Sequence, residues 1–399
     1  MGAQQRHPMK GRRDTIKIEF LSNKEQHSYT PGDEIIGYAW VKMSEFLIPG
    51  CVEIALRGRS RVENDAILQP IRTYRQHNFL EMQQLVEVDA FTSYEVVENG
   101  FLYKFPFTFT VPDQLPIHAC RHQEEQLSFH NTHLNLPPTM GIVQDGTKGL
   151  QSRSLCPENL SIAYAVEIKL KDEKAGFPHS KEPWNFAARQ ITIIPLSEII
   201  SSSKILQGSF FNQPRPYPPP LYQKHARLDS LHIETLTENP VSIYLPTNPI
   251  ENSIKDITTI IPLRVCYNRK HRGPMPRLNK ISRNLIAHTT LSDIQDRALK
   301  HGKPRPKNHH LYTSRLTLPS FNMSAQSKNT MEESRGSHYE AMLQVPVSLS
   351  PDLKLEPSFE SCLFSRSYTL ELCIFYRLAG RMNSYSTLLK VPLEIKITR

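Results

Sequence analysis

Apolar and polar residues alternate with a period of two along most of this chain. Phe101, Tyr103, Phe105, Phe107, Phe109 and Val111 share one side of an extended segment. Leu160, Ile162, Tyr164, Val166, Ile168 and Leu170 repeat the pattern, as do Tyr368, Leu370, Leu372, Ile374 and Tyr376, then Leu389, Val391, Leu393, Ile395 and Ile397. Successive side chains of a strand point to opposite faces, so each run offers one apolar face for burial. Many such runs, separated by turn-rich sequence, predict an all-β protein of antiparallel sandwiches. Pro106 has no amide hydrogen to donate, so its strand is expected at a sheet edge or bulged there.

Helical periodicity is scarce. The best helix candidate is Leu291 to Lys300, with Ser292 as a cap and Ile294, Ala298 and Leu299 as a short apolar stripe. Long polar stretches at Asp113 to Thr132, Gly141 to Glu158, Asp172 to Glu182 and Asn322 to Ser337 read as loops or partly disordered insertions. The expected break between domains is residues 201–226, which open on Ser201-Ser202-Ser203 and hold Pro214, Pro216, Pro218, Pro219 and Pro220 within nine residues. Prolines at that density favour polyproline II and cannot sit in a sheet centre. The expected organisation is one sandwich over 1–200, a proline-rich hinge over 201–226 and a second sandwich over 227–399. Each half carries an early strand pair, a middle strand ending in proline and a late pair of long alternating strands.

Bulk properties fit this picture. A chain of 399 residues suits two domains. Its 31 prolines, about 8% against a usual ~5%, suit turns and long loops and argue against long helices. The net charge of +9 can attract phosphates, acidic peptides or anionic lipid without choosing among them. Six cysteines form no CxxC pair, and Cys51, Cys266, Cys362 and Cys373 lie in or beside strand-like sequence, which reads as a reduced, cytosolic protein. The polar start of the chain is no secretory signal, and no apolar run approaches the ~20 residues of a membrane span.

Several segments carry a resemblance. Tyr29-Thr30-Pro31-Gly32-Asp33-Glu34-Ile35-Ile36-Gly37 has a Pro-Gly turn before a strand, with Gly37 marking a bulge or a close backbone approach. Val52 to Ser60, Phe105 to Pro112, Leu115-Pro116 and His133 to Pro138 follow it. The second half adds Thr258 to Leu263, Ser358-Phe359, Ser361 to Leu372 and Leu389 to Ile397. In order and spacing these resemble the fungal arrestin-like family, the arrestin-related trafficking adaptors, over nearly the whole chain. The resemblance implies two arrestin-like, immunoglobulin-like antiparallel β-sandwich lobes joined by a short hinge. It also implies a non-enzymatic adaptor that brings a ubiquitin ligase to membrane transporters or receptors. The chain departs from the family in two ways. Such adaptors usually carry their ligase motifs on a C-terminal tail, but here Arg399 directly follows the last strand. Receptor-regulating animal arrestins carry buried opposed charges near the hinge, and no residue-level match to that set is found.

Pro219-Pro220-Leu221-Tyr222 fits PPxY, the ligand of WW domains. Its prolines preset polyproline II, and Tyr222 supplies a planar ring for a second pocket. A rigid spacer with Tyr217 and Tyr222 packed inward is the alternative. The functional reading names a HECT-type ubiquitin ligase as partner through a WW domain, with the cytoplasmic tails of transporters or receptors as cargo.

The densest basic run includes Arg264, Arg269, Lys270, Arg272, Arg277, Lys280 and Arg283, with Gly273-Pro274 and Pro276 making it loop-like. Arg269, Lys270, Arg272, Arg277, Lys280 and Arg283 are the candidate contacts to anionic lipid or a phosphorylated cargo tail. An exposed loop without a ligand is the plainer reading. Aromatics are not interleaved with these residues, so nucleic-acid binding lacks support. His118, Cys120, His122, His130 and His133 invite zinc, but their spacing matches no common site and exposed loop histidines explain them better. The chain shows no nucleophile elbow, HExxH, phosphate loop or dinucleotide fingerprint. No catalytic residue, metal or cofactor is therefore expected. The expected location is cytoplasmic, with peripheral recruitment to the plasma membrane or endosomes. The competing functions are an arrestin-fold scaffold or sorting-coat subunit without ligase recruitment, and a hydrolase with an unrecognised metal site.

Overall fold

The computed structural model describes residues 15–21, 28–43, 52–64, 73–86, 94–98, 100–116, 119, 134–141, 155–170, 185–195, 230–236, 240–246, 257–268, 276–292, 309–323, 332–335, 338–350, 353–360, 364–377 and 384–398. It is all-β, in line with the arrestin-like sandwiches expected from sequence, and no α-helix occurs among the described residues. Two compact units form. The first comprises Met1–Gly146 and Glu158–Pro195, and the second Thr147–Pro157 and Leu196–Arg399.

The first unit holds β1 (Thr15–Phe20), β2 (Ser28–Tyr29), β3 (Glu34–Met43), β4 (Val52–Asn64), β5 (Thr73–Leu85), β6 (Tyr94–Val97), β7 (Gly100–Thr110), β8 (Leu160–Leu170) and β9 (Asn185–Ile193). They make two sheets, in the orders β1-β3-β7-β6 and β2-β9-β8-β4-β5. All pairs are antiparallel except β2 with β9. The alternation in β7 does what it predicts, since Tyr103, Phe105, Phe107, Phe109 and Val111 are all buried. So are the six alternating apolar residues of β8. Arg189 of β9 joins the sheets by donating to the Ile18 carbonyl at 3.0 Å, with its guanidinium over the Phe20 ring.

Local chemistry sets the entry to β3. Thr30 O accepts from Asp33 N at 3.0 Å, and Gly32 has φ of 83°, as a Pro-Gly type II turn requires. The Asp33 carboxylate accepts from Thr30 N at 2.8 Å and from its hydroxyl at 3.0 Å, fixing the turn. Gly37 is a close approach and not a bulge: a Cβ there would lie 2.3 Å from Glu19 O and 2.5 Å from the Phe107 ring. Pro106 sits at an edge. β6 pairs only with Gly100 to Tyr103, and beyond that the Gln84 side chain lies against the β7 backbone. Its amide donates to Pro106 O at 3.1 Å and accepts from Thr108 N at 3.1 Å, satisfying an edge that has no strand beside it among the described residues.

The second unit holds β10 (Ser230–Thr235), β11 (Val241–Pro246), β12 (Ile257–Asn268), β13 (Arg277–Ser292), β14 (His309–Asn322), β15 (Glu332–Arg335), β16 (His338–Leu349), β17 (Phe359–Glu360), β18 (Phe364–Arg377) and β19 (Ser384–Thr398). One sheet runs β10-β12-β16-β15 and the other β11-β19-β18-β13-β14, with β17 on β18. Only β11 with β19 is parallel. One core cluster draws on both sheets, with Ile261, Leu263, Val265 and Val345 against Leu285, Leu370, Leu372 and Val391. Leu155 packs in the same cluster.

Two expectations change. Leu291 and Ser292 continue β13 in place of starting a helix, because Leu291 pairs with Phe364 and His310 across its neighbours; residues 293–300 lie outside the described residues. The polar stretch 322–337 contributes β15, paired with β16.

Candidate functional site

The predicted site residues separate into three groups. Pro219, Pro220, Leu221 and Tyr222 lie outside the described residues, as do Arg269, Lys270 and Arg272 and the histidines of the 118–133 stretch. Arg277 and Lys280 are exposed and belong to β13, not to a loop. Arg283 is the correction. It is 7% exposed and faces the interior. Its Nε donates to Pro319 O at 2.7 Å, and its other nitrogens reach Pro319 O and Pro346 O. Burial pulls its pKa down. A side chain so placed cannot reach a lipid or a cargo tail.

The register explains why Arg283 and its neighbours part company. In β13 Ile281, Leu285 and Ala287 are buried on the core side, and Arg283 shares their parity. Lys280 lies on the opposite parity, and the bulge between Leu278 and Lys280 returns Arg277 to that same outer face. Strands that are neighbours in the sheet add Arg315 of β14, Arg377 of β18, and Lys390 and Lys396 of β19. These four are hidden in the sequence because they lie 35 or more residues from Lys280 and join it only through strand pairing. Period-two parity in β18 and β19 was the available signal, since each of them alternates with a core residue.

Among the described residues six cations on this face, of which Lys396 is buried, meet three carboxylates, Glu360, Glu371 and Glu394, a formal excess of three. Glu371 is shared: Arg315 donates to it at 2.9 Å and Lys390 lies 3.3 Å away. Lys396 pairs with Glu394 at 3.1 Å. At the far end Arg277 stands directly across from Arg377. Like charges opposite each other in a sheet repel, so a bound anion between them would be favoured. His288 lies on the same face and accepts or donates a hydrogen bond with Thr369 at 3.2 Å. Burial, then Lys390 and Arg366, hold its pKa below the ordinary histidine range. Arg264, from the same sequence run, belongs to the other sheet, where it pairs with Glu340 and with Glu234.

Inside the second unit lies a separate buried polar group. Arg366 has a fully buried side chain and contacts Thr289 Oγ1, Tyr368 Oη at 3.2 Å and Glu356 Oε2 at 3.4 Å. Tyr368 donates to the Glu356 carbonyl at 2.7 Å. Burial opposes the Arg366 charge, but Tyr368 and Glu356 outweigh it and its pKa is raised. Burial also pushes the neighbouring Cys156 thiol up to about 12, so it is no nucleophile at neutral pH.

This arrangement can attract an anion but assembles no reacting constellation. Among the described residues no group of three or more His, Cys, Asp or Glu is placed to hold a metal ion. Likewise, no described helix is long and apolar enough to cross a membrane.

Residues 247–398 match the family model for the Bul1 C terminus. The match supports an arrestin-like trafficking adaptor family. The Bul1 C-terminal region spans β12 through β19, so the basic face lies within it. The match suggests a ubiquitin-ligase adaptor role in general terms and, with the all-β fold, a non-enzymatic protein. Among curated proteins, none matches this chain.

Proposed function

We propose that this protein is a non-enzymatic trafficking adaptor. It links plasma-membrane transporters or receptors to a HECT-type ubiquitin ligase, for ubiquitination and endocytosis. The observation that carries this reading is the Bul1 C-terminal match on an all-β unit. A complete PPxY at Pro219 to Tyr222, before the matched region, supplies the chemistry for a WW domain. The adaptor works in the cytoplasm and is recruited peripherally to the plasma membrane or endosomes. The basic face supplies attraction to acidic cargo tails or anionic headgroups, which salt screens beyond about 10 Å at 0.1 M.

A lone PPxY peptide binds in the micromolar range, near −8 kcal/mol, so recruitment relies on clustered cargo or several WW domains. The test is capture of a purified WW-domain array by the full chain and by Tyr222→Ala. Ligase binding is expected to vanish while thermal stability stays nearly unchanged. A loss of several kcal/mol of stability, as truncating a buried aromatic gives, would make Tyr222 a core residue and end the reading.

A further inference from the structure

Among the described residues no strand lies beyond the outer edge of β14, whose only neighbour in the sheet is β13. Every second residue of an edge strand turns its N–H and C=O away from the sheet, which templates a further strand. Most edges in this protein are blunted. β1, β2, β6, β10, β11 and β15 have six residues or fewer. The long edge strand β5 is interrupted in mid-strand by the irregularity at Gly58 and Arg59, and its Gln84 side chain is engaged on β7. β14 differs. It pairs with β13 without interruption from Leu318 to His309, and its bulge comes only beyond, next to Pro319. Within this regular stretch there is no proline, Asp, Glu or Lys.

Side chains at this edge narrow the occupant. Leu311 is 61% exposed and Arg315 58% exposed, with Thr313 and Thr317 between and beyond them on the same outer face. That face carries the cationic excess of the candidate site. A second copy of β14 would bring two basic faces side by side, which disfavours self-pairing. Charge complementarity selects an acidic partner, and the open backbone selects an extended one.

We infer that β14 accepts an extended acidic peptide as an added strand of its sheet. Alternate side chains of that peptide lie beside Leu311, Thr313, Arg315 and Thr317. An acid beside Arg315 competes with Glu371, which keeps Lys390 as partner. Backbone pairing gives the site its tolerance for sequence, while the cations set the preference for acid. The identity of the partner as a cargo tail rests on the adaptor reading; the site itself does not.

The test uses the full chain and a fluorescent twelve-residue peptide in which Val or Thr alternates with Glu. Binding is read by anisotropy, and protection by amide hydrogen exchange. The expected result is binding with slowed exchange in residues 309–318. N-methylation of alternate peptide amides should weaken binding about tenfold or more in one phase and little in the other, because one set of amides faces β14. Arg315→Glu should weaken binding by a similar factor, while Arg315→Lys retains most of it. Equal binding of both methylated peptides, or no protection in β14, would overturn strand addition. Arg315-dependent binding of phosphatidylserine vesicles without peptide binding would make the face a membrane contact and would also overturn it. Tyr222→Ala should leave peptide binding unchanged, so loss of WW-domain capture in that variant bears on the adaptor reading alone.

Discussion

Arg57 in the first unit and Arg283 in the second are both almost fully buried, yet their surroundings are opposite in kind. Arg57 lies on the outer parity of β4 and is 5% exposed. It meets three carboxylates, with Glu167 at 2.7 Å, Glu81 at 2.7 Å, and Glu53, two repeats of the alternation back, at 2.5 Å. Burial works against its charge, but hydrogen bonds to Glu81, Glu167 and Glu53 outweigh that and raise its pKa. Arg283 has the core parity of β13 and meets only the carbonyls of Pro319 and Pro346. Burial there goes uncompensated by any acid among the described residues, and its pKa falls. A buried arginine can therefore be the centre of an ionic network or a neutral-acceptor clamp between strands, and the energetic consequence of removing it differs accordingly.

The largest expected effect is on the network. Arg57→Met takes a cation from Glu53 and Glu81 and leaves Glu167 with Arg59 and Lys169. Stranding buried charge costs about 3–5 kcal/mol. Both tryptophans, Trp40 and Trp184, belong to the first unit, so tryptophan fluorescence during urea unfolding reads that unit separately. A loss below about 1 kcal/mol would show that the network is only a solvated surface array.

Arg283→Met is expected to cost less, under about 2 kcal/mol. It leaves two carbonyls unpaired, at roughly 1–3 kcal/mol each, but it also removes a desolvated charge. Hydrogen exchange of β13 and β16 amides reads the second unit. A cost equal to that of Arg57→Met would erase the distinction.

The smallest effect is in pH. His288 of the second unit has its folded pKa depressed, chiefly by burial. The unfolded chain takes the proton first, so stability is full above about pH 6.5 and falls as pH drops through the folded value. Glu81 of the first unit is held low by the hydrogen bond from Arg57. Its contribution is full above about pH 4.3 and is lost only as pH falls through its lower folded value. Acid titration should therefore loosen the second unit before the first, with His288→Gln removing the early phase.

The fold was legible because period two in β7, β8, β18 and β19 is a local property, and a strand with one apolar face has few other places to go. The Pro31-Gly32 turn and the Pro106 edge were legible for the same reason. Arg283 was not. Its run of cations reads as solvated, and only the carbonyls of Pro319 and Pro346, 36 and 63 residues away, make burial tolerable. Only a third of the basic face was legible: Arg277 and Lys280 stand in the dense run, while Arg315, Arg377, Lys390 and Lys396 lie in strands distant in sequence. Leu291 and Ser292 read as a helix start because the strands that pair with them, around His309 and Phe364, are not adjacent in sequence.

Leu155 carries a consequence for how such a protein can be taken apart or inherited. It belongs with Thr147–Pro157 to the second unit, although stretches of the first unit lie on both sides of it in the chain. No single break in the gene yields both units whole. A fragment beginning after the proline-rich stretch would lack the Leu155 plug, and a core leucine cut back to alanine already costs about 2–5 kcal/mol. The pair is thus a unit of descent, to be gained, lost or transplanted together, and a recombinant built by swapping halves at residues 201–226 would need the 147–157 segment of the donor to travel with its second half.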